Sequence, residues 1–252
     1  MYPSLAEDEI HVWHVGLHSA NDFSSGLSGI LSAEEKKRAE RFHYFRDRGA
    51  YSICRGALRH ILGGYLGVKP EEVKFSHGLQ GKPQLDESFT RMALQFNVSH
   101  SQGIGLIAVA REMAVGVDIE CVRPIPDAGS IAEAHFSSKE REDLSRLPDA
   151  KRAEGFFSCW TRKEAFVKAQ GGGLSITLNS FSVSTQSGRG VELLDQSGSI
   201  KETLPWKVMA LRFEETGSRE IYVGAVVGAG PRWHATVRKW QPLGQLLPAS
   251  FG

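Results

Sequence analysis

Two acidic residues, Asp118 and Glu120, stand two positions apart in a segment whose residue types predict a β-strand. Alternate side chains of a strand share one face, so the two carboxylates point the same way and lie about 6–7 Å apart. Without a positive charge nearby they repel each other and favour the neutral form. A divalent cation removes this repulsion, and Mg²⁺ is commonly held by one or two carboxylates together with phosphate oxygens. The solvated face of an edge strand gives the same spacing, and the spacing alone leaves both interpretations open.

A second segment, residues 155–170, predicts a helix that presents a carboxylate and an ammonium on one face. Phe157, Trp160, Glu164 and Lys168 follow one another at helical intervals, so the two charged groups continue an aromatic stripe. An exposed Glu–Lys pair one turn apart gives the same pattern and stabilises a helix only slightly. Together with the two acids of the strand, however, the set suits phosphoryl transfer. In that chemistry the acids hold a metal ion, and the metal and the lysine neutralise charge on the transferring oxygens.

Helices and strands must bring these two segments together. Ser32 and Glu35 form a capping-box pattern that predicts a helix over 33–41, and the apolar spacing predicts a longer helix over 47–66. Strands are predicted at 9–17, 96–98, 104–110 and 113–122.

The order of these elements repeats. At an offset of 105 residues, 136–140 resemble 31–35, and apolar positions of the two long helices coincide. We therefore predict an α+β fold made of two similar halves, residues 1–112 and 113–252, with a C-terminal tail from about 231. The alternative is that any two amphipathic helices align this well.

Composition limits the class of protein. With 41% hydrophobic and 23% charged residues in 252, the chain is a folded globular protein. A net charge of +1 argues against a dedicated nucleic-acid binder, and no apolar run approaches the ~20 residues that cross a membrane. Three cysteines without CxxC spacing, and an N-terminus that lacks the pattern of a signal peptide, favour the reducing cytoplasm.

Two motifs carry a specific resemblance. The run Gly116-Val117-Asp118-Ile119-Glu120, followed 40 residues later by the run from Trp160 to Lys168 (WTRKEAFVK), resembles the two signature motifs of the 4′-phosphopantetheinyl transferases. Gly81-Lys82-Pro83 and the run 96–101 (FNVSHS) resemble two further motifs of that family. The resemblance extends from about residue 31 to 183, and the size and repeat match the Sfp-type subfamily, in which two similar halves are related by pseudo-two-fold symmetry.

The resemblance implies an activity and a set of site residues. Members of the family move the phosphopantetheine arm of coenzyme A onto a serine of an apo acyl or peptidyl carrier protein, releasing 3′,5′-ADP. The resemblance assigns Mg²⁺, or Mn²⁺ in its place, to Asp118, Glu120 and Glu164, and catalysis to Glu164 and Lys168. It assigns coenzyme A to the following residues: Lys82, Pro83, Ser99, His100, Arg48, Arg55 and Lys168.

Two other functions remain open at this point. A metal-dependent nucleotide pyrophosphatase needs the same three carboxylates, and it releases free phosphopantetheine without a protein acceptor. A non-catalytic module that binds coenzyme A or a carrier protein has no need of a full metal set. If the halves are duplicates, their internal interface replaces a subunit interface, so we expect a monomer with the coenzyme A cleft between the halves.

Overall fold

The computed structural model describes residues 2–17, 27–77, 83–171, 176–183, 191–194, 200–214, 219–230 and 232–241. The N-terminal half contains β1 (Glu9–Gly16), α1 (Leu27–Ile30), α2 (Ala33–Glu40), α3 (Phe45–Leu66), β2 (Phe75–His77), β3 (Pro83–Leu85), β4 (Leu94–Ser101) and β5 (Ile104–Arg111). Short 3₁₀ helices lie at Pro70–Glu72 and Glu87–Met92.

The C-terminal half begins with the predicted acidic strand and contains the second long helix. Its elements are β6 (Val115–Cys121), α4 (Ala128–His135), α5 (Ser138–Ser145), α6 (Asp149–Gln170), β7 (Phe181–Val183), β8 (Val191–Leu194), β9 (Ile200–Leu204), β10 (Trp206–Glu214), β11 (Ile221–Ala229) and β12 (His234–Lys239). A 3₁₀ helix spans Leu178–Ser180.

The two halves share one topology, which confirms the predicted α+β fold with two similar halves. In the first half a strand, a helix pair and two further strands give an antiparallel sheet of order β1-β5-β4. In the second half the same succession gives the order β6-β11-β10, again antiparallel. The pairs α2–α3 and α5–α6 occupy equivalent places in the sequence of elements.

The core is layered because strand side chains alternate between two environments. In β1, Ile10 and Val12 pack against β5, β6 and β11, whereas Trp13 and Val15 pack against α3. A third cluster joins α6 to β10 and β11. The two sheets therefore face each other, with α3 outside one and α6 outside the other. No described helix is both long and apolar enough to cross a bilayer.

The last described strand returns to the first half. β12 pairs in parallel with β1, with Val237 opposite Val12. Beneath this pairing the imidazole of buried His11 contacts a carboxylate oxygen of Glu9 at 2.8 Å and the hydroxyl oxygen of Tyr65 at 2.5 Å. A strand from the predicted C-terminal tail thus completes the N-terminal sheet.

The predicted capping box occurs in both halves and leads to a buried ion pair. Ser32 and Glu35 cap α2, and the carboxylate of Glu35 accepts a hydrogen bond of 2.6 Å from Arg59 of α3. Ser137 and Glu140 cap α5 in the same way.

The partner of Glu140 is Lys163 of α6, whose Nζ lies 2.8 Å from Oε2. Lys163 also donates to the backbone carbonyls of Leu178 and Phe181, at 2.8 and 2.7 Å. Arg59 likewise donates to the carbonyls of Pro70 and Val73. In each half, a buried cation of the long helix joins the capped short helix to the chain that follows.

We expect Lys163→Met to lower the free energy of unfolding by about 3–5 kcal/mol, because it leaves the Glu140 carboxylate buried without its cation. Arg146→Met is the matched control. It breaks an exposed ion pair with Glu142, which contributes less than about 1 kcal/mol. Urea unfolding followed by fluorescence measures both. Equal losses in the two variants would show that the buried pair has no special structural role.

Candidate active site

A cleft of ≈ 410 Å³ lies where the two halves meet. Three elements line it: β4 from the first half, and β6 and α6 from the second. The lining residues are Val98, Ser99, His100, Asp118, Glu120, Trp160, Glu164 and Lys168. The two motifs singled out for their chemistry, which lie 40 residues apart in the chain, therefore share one cleft with the 96–101 run.

Strand β6 presents its two acids as the alternation predicts. Val117, Ile119 and Cys121 are buried in the cluster between the two sheets. Asp118 and Glu120 point to the opposite face, where Asp118 is 4% exposed and Glu120 lies partly open to the cleft. Because Asp118 is almost fully buried, its environment decides how its charge is balanced.

Helix α6 can lie directly on β6 because residue 116 is glycine. A Cβ built on Gly116 would lie 2.0 Å from the backbone oxygen of Ala165 and 2.5 Å from the backbone nitrogen of Ala169. Both atoms belong to the helix backbone, so no side-chain movement relieves the clash. This close approach sets Glu164 and Lys168 over the carboxylates of β6.

The carboxylate of Asp118 uses its two oxygens differently. Oδ1 accepts hydrogen bonds from the ammonium of Lys168, at 2.6 Å, and from the hydroxyl of Ser99, at 2.7 Å. Lys168 also donates to the Ser99 hydroxyl at 3.1 Å. Oδ2 is buried and has no hydrogen-bond partner among the described residues. One oxygen thus joins the three elements of the cleft, and the other is left for a further group.

Glu120 is held on one oxygen as well. Its Oε2 accepts a hydrogen bond of 2.9 Å from the hydroxyl of Ser101 and one of 3.3 Å from the guanidinium of Arg123. The Arg123 guanidinium lies over the ring of Phe157, 4.9 Å from its centroid. Within the part of the chain that the structure describes, the hydrogen bonds to this carboxylate all go to Oε2.

The electrostatic environment of the cleft opposes the charged form of Glu164. Burial raises the pKa of Glu164, and the negative charge of Asp118 raises it further. The pKa of His100 is lowered, first by loss of solvation and second by the positive charge of Lys168. The cleft therefore favours a neutral imidazole and an easily protonated carboxyl group.

The carboxylates of Asp118, Glu120 and Glu164 are chemically suited to bind a divalent cation. In the described ranges, no group of three or more His, Cys, Asp or Glu side chains is arranged to hold a metal ion. The buried and unpartnered Oδ2 of Asp118 is nevertheless the kind of oxygen that a hard cation would satisfy. Glu120 and Glu164 line the same cleft and, like Asp118, offer carboxylate oxygens as ligands.

The remaining predicted residues lie in several places. Lys82 falls outside the described residues. Pro83 opens β3, opposite His77. Arg55 makes hydrogen bonds of 2.9 and 2.5 Å to Glu35 and lies over the ring of Phe75. Arg48, in the first turn of α3, has a buried Nε with no partner among the described residues.

Ser101 was not among the predicted site residues, although its hydroxyl contacts Glu120. A signal for it exists in the sequence, because Asn97, Ser99 and Ser101 are polar at every second position of β4. Such a polar face indicates a partner for those side chains, but the partner strand is not adjacent in the same sheet. Only the packing of the two sheets shows that it is β6.

Comparison with known proteins is consistent with this geometry. Residues 114–225 match the 4′-phosphopantetheinyl transferase superfamily, and residues 18–112 match the family described as 4′-phosphopantetheinyl transferase, N-terminal. The boundary between the two matches falls at the start of β6.

Several curated relatives align over most of the chain. It is 42% identical over 172 residues to the 4′-phosphopantetheinyl transferase HetI of a Nostoc species, covering 68% of this chain and 73% of the relative. It is 34% identical to psf-1 of Bacillus pumilus, over 62% of this chain and 64% of the relative. It is 29% identical to Sfp of Bacillus subtilis, over 70% of this chain and 72% of the relative.

We expect Gly116→Ala to destabilise the protein by about 1–3 kcal/mol or more, because the added methyl group forces α6 away from β6. Gly129→Ala is the matched control, since a Cβ there meets nothing within 4 Å. Thermal and urea unfolding of both variants measure the difference. A Gly116→Ala protein as stable as the control would show that α6 does not depend on this close approach.

Proposed function

The chain belongs to the Sfp-type branch of the 4′-phosphopantetheinyl transferase superfamily, and on this premise we propose that the cleft between β4, β6 and α6 is its active site. The enzyme transfers the phosphopantetheine arm of coenzyme A to a serine of an apo carrier protein, giving holo-carrier protein and 3′,5′-ADP. The observation that carries the assignment is the Asp118 carboxylate, paired with Lys168 on one oxygen and unpartnered on the other.

Asp118, Glu120 and Glu164 are proposed to hold Mg²⁺ beside the pyrophosphate of coenzyme A. A divalent cation bound there supplies positive charge to oxygens that become more negative during phosphoryl transfer. The unpartnered Oδ2 of Asp118 and the location of all three carboxylates in one cleft support this set.

Lys168 and Glu164 are proposed to act on the reacting groups. Lys168 shares the cleft with the metal carboxylates, and its ammonium stabilises negative charge on the phosphate oxygens. Glu164 lies one helical turn before it. Burial and Asp118 raise the pKa of Glu164, which makes its carboxylate a better proton acceptor for the attacking serine, directly or through water.

The 3′-phosphate and adenine of coenzyme A are proposed to lie on the first-half side of the cleft. His100 lines this side of the cleft, next to Ser99. The buried Nε of Arg48 needs an acceptor, and a phosphate oxygen meets that need. Lys82 and Pro83 complete the set. Arg55 is a weaker candidate for a phosphate contact, because its guanidinium already forms an ion pair with Glu35.

The acceptor is an acyl or peptidyl carrier protein. The described cysteines, Cys54, Cys121 and Cys159, are free and buried, which agrees with a reducing cytoplasm. The two sheets bury their facing surfaces against each other within one chain, which supports a monomer.

Incubation with coenzyme A, Mg²⁺ and a panel of apo-carrier proteins tests the proposal. Mass spectrometry should show one phosphopantetheine added to the carrier serine, and the addition should stop in excess chelator and return with added Mg²⁺. Undiminished transfer in chelator would contradict the metal assignment while leaving the transferase activity standing. Release of free phosphopantetheine without a carrier would indicate a pyrophosphatase, and binding without turnover a non-catalytic module.

We expect Glu164→Gln to lower kcat by about 10²-fold or more with a smaller effect on KM for coenzyme A, because it removes a metal-binding charge and the proton acceptor. Lys168→Ala should behave in the same way. Glu142→Gln, at an exposed position of α5, is the control and should leave kcat unchanged.

The pH profile gives a second readout for Glu164. The ionised carboxylate is the active form, so the rate should fall as pH drops through its pKa, which lies above the usual carboxyl value in the free enzyme. Steady-state kinetics across pH, at saturating and at subsaturating Mg²⁺, measure this. A Glu164→Gln enzyme that keeps the wild-type rate and pH profile would remove Glu164 from the mechanism.

A further inference from the structure

Two sheet edges meet beneath the cleft, and side chains join them. β4 forms one edge of the sheet in the first half, and β6 forms one edge of the sheet in the second. An edge strand exposes every second backbone N–H, and a buried N–H needs an acceptor. The N–H of Val117 donates to Oδ1 of Asn97 at 2.9 Å, and the N–H of Cys121 donates to Oγ of Ser101 at 3.1 Å.

These contacts align the two strands in register. Asn97 and Val117 are 20 residues apart, and so are Ser101 and Cys121. The strands therefore run in the same direction, with β4 side chains in place of backbone carbonyls. Between the two backbone contacts, Ser99 donates its hydroxyl to Asp118. We call Asn97, Ser99 and Ser101 the β4 ladder.

Ser101 has two simultaneous contacts, which fix its hydroxyl. The oxygen accepts the N–H of Cys121, and the proton goes to Oε2 of Glu120 at 2.9 Å. Ser101 is only 8% exposed. The other donor to Oε2, Arg123, has a side chain that is 49% exposed, so solvent competes with it. Ser101 is thus the better-fixed of the two groups that orient Glu120.

We propose that Ser101 is a positioning residue that turns the Glu120 carboxylate toward the cleft, with Asn97 holding β6 in register. The inference rests on the proposed function, because it assigns Glu120 to the metal. Ser101 binds one oxygen of Glu120 and leaves the other to ligate the cation. It acts through Glu120 and is not itself catalytic. Groups that orient a metal ligand typically change metal affinity by 10–100-fold when removed.

The experiment measures Mn²⁺ binding to the full-length protein with coenzyme A present, by the loss of the free-ion signal in electron paramagnetic resonance. Ser101→Ala should raise the Kd for Mn²⁺ about tenfold or more. It should also raise the Mg²⁺ concentration needed for half-maximal transfer by a similar factor, while kcat at saturating Mg²⁺ falls less than about threefold. Ser101→Thr keeps the hydroxyl and should restore most of the affinity.

Ser182→Ala is the matched control for a purely structural loss. Ser182 is 2% exposed on β7, and its hydroxyl is hydrogen-bonded to that of Ser137 at 3.2 Å, away from the cleft. We expect this variant to lose stability, measured by thermal unfolding, while its Kd for Mn²⁺ stays at the wild-type value.

The outcomes distinguish the positioning role of Ser101 from the proposed function. If wild type binds Mn²⁺ and transfers phosphopantetheine but Ser101→Ala has an unchanged Kd, the positioning role is overturned and the proposed function stands. If Ser101→Ala and Ser182→Ala lose affinity equally, the effect is structural and the positioning role is again overturned. If wild type itself shows no Mn²⁺ binding with coenzyme A present, the metal assignment fails, and the role of Ser101 fails with it.

Discussion

The structure of the cleft depends on how one buried charge is balanced. Asp118 is almost fully removed from water, and a lone buried carboxylate is strongly unfavourable. Lys168 supplies the opposite charge from α6, and Ser99 supplies a hydrogen bond from the other half. A single oxygen therefore joins the three elements that line the cleft. The second oxygen is left without a protein partner, and this is the position where a cation is proposed to bind.

Close packing makes that interaction possible. A lysine reaches a buried carboxylate only if its helix lies directly on the strand, and Gly116 removes the side chain that would prevent this. Lys163 fixes α6 from its opposite side, through its ion pair to α5 and through its hydrogen bonds to the carbonyls of Leu178 and Phe181, before and at the start of β7. The helix is thus held at two faces, which limits the movement of Glu164 and Lys168.

The two halves share a topology but differ at one equivalent edge. In the first half, the outer edge of β1 pairs through its backbone with β12. In the second half, the outer edge of β6 meets β4 through the side chains of the β4 ladder. Side-chain contacts leave more space than a backbone ladder and bring polar groups of β4 next to the acids of β6. A duplicated fold thereby produces a cleft with different chemistry on its two sides.

The sequence by itself predicted the family, the α+β halves, the capping box of α2, and the shared face of Asp118 and Glu120. These are local properties, because strand alternation, helix periodicity and caps depend on neighbours within a few residues. Tertiary structure decided the rest. Four features depend on contacts between residues 19 to 227 positions apart. They are the pairing of Lys168 with Asp118, the hydrogen bonds of Arg55 to Glu35, the orientation of Glu120 by Ser101, and the completion of the first sheet by β12. No spacing in the chain encodes such contacts, since they arise only when two sheets and their helices pack at fixed distances.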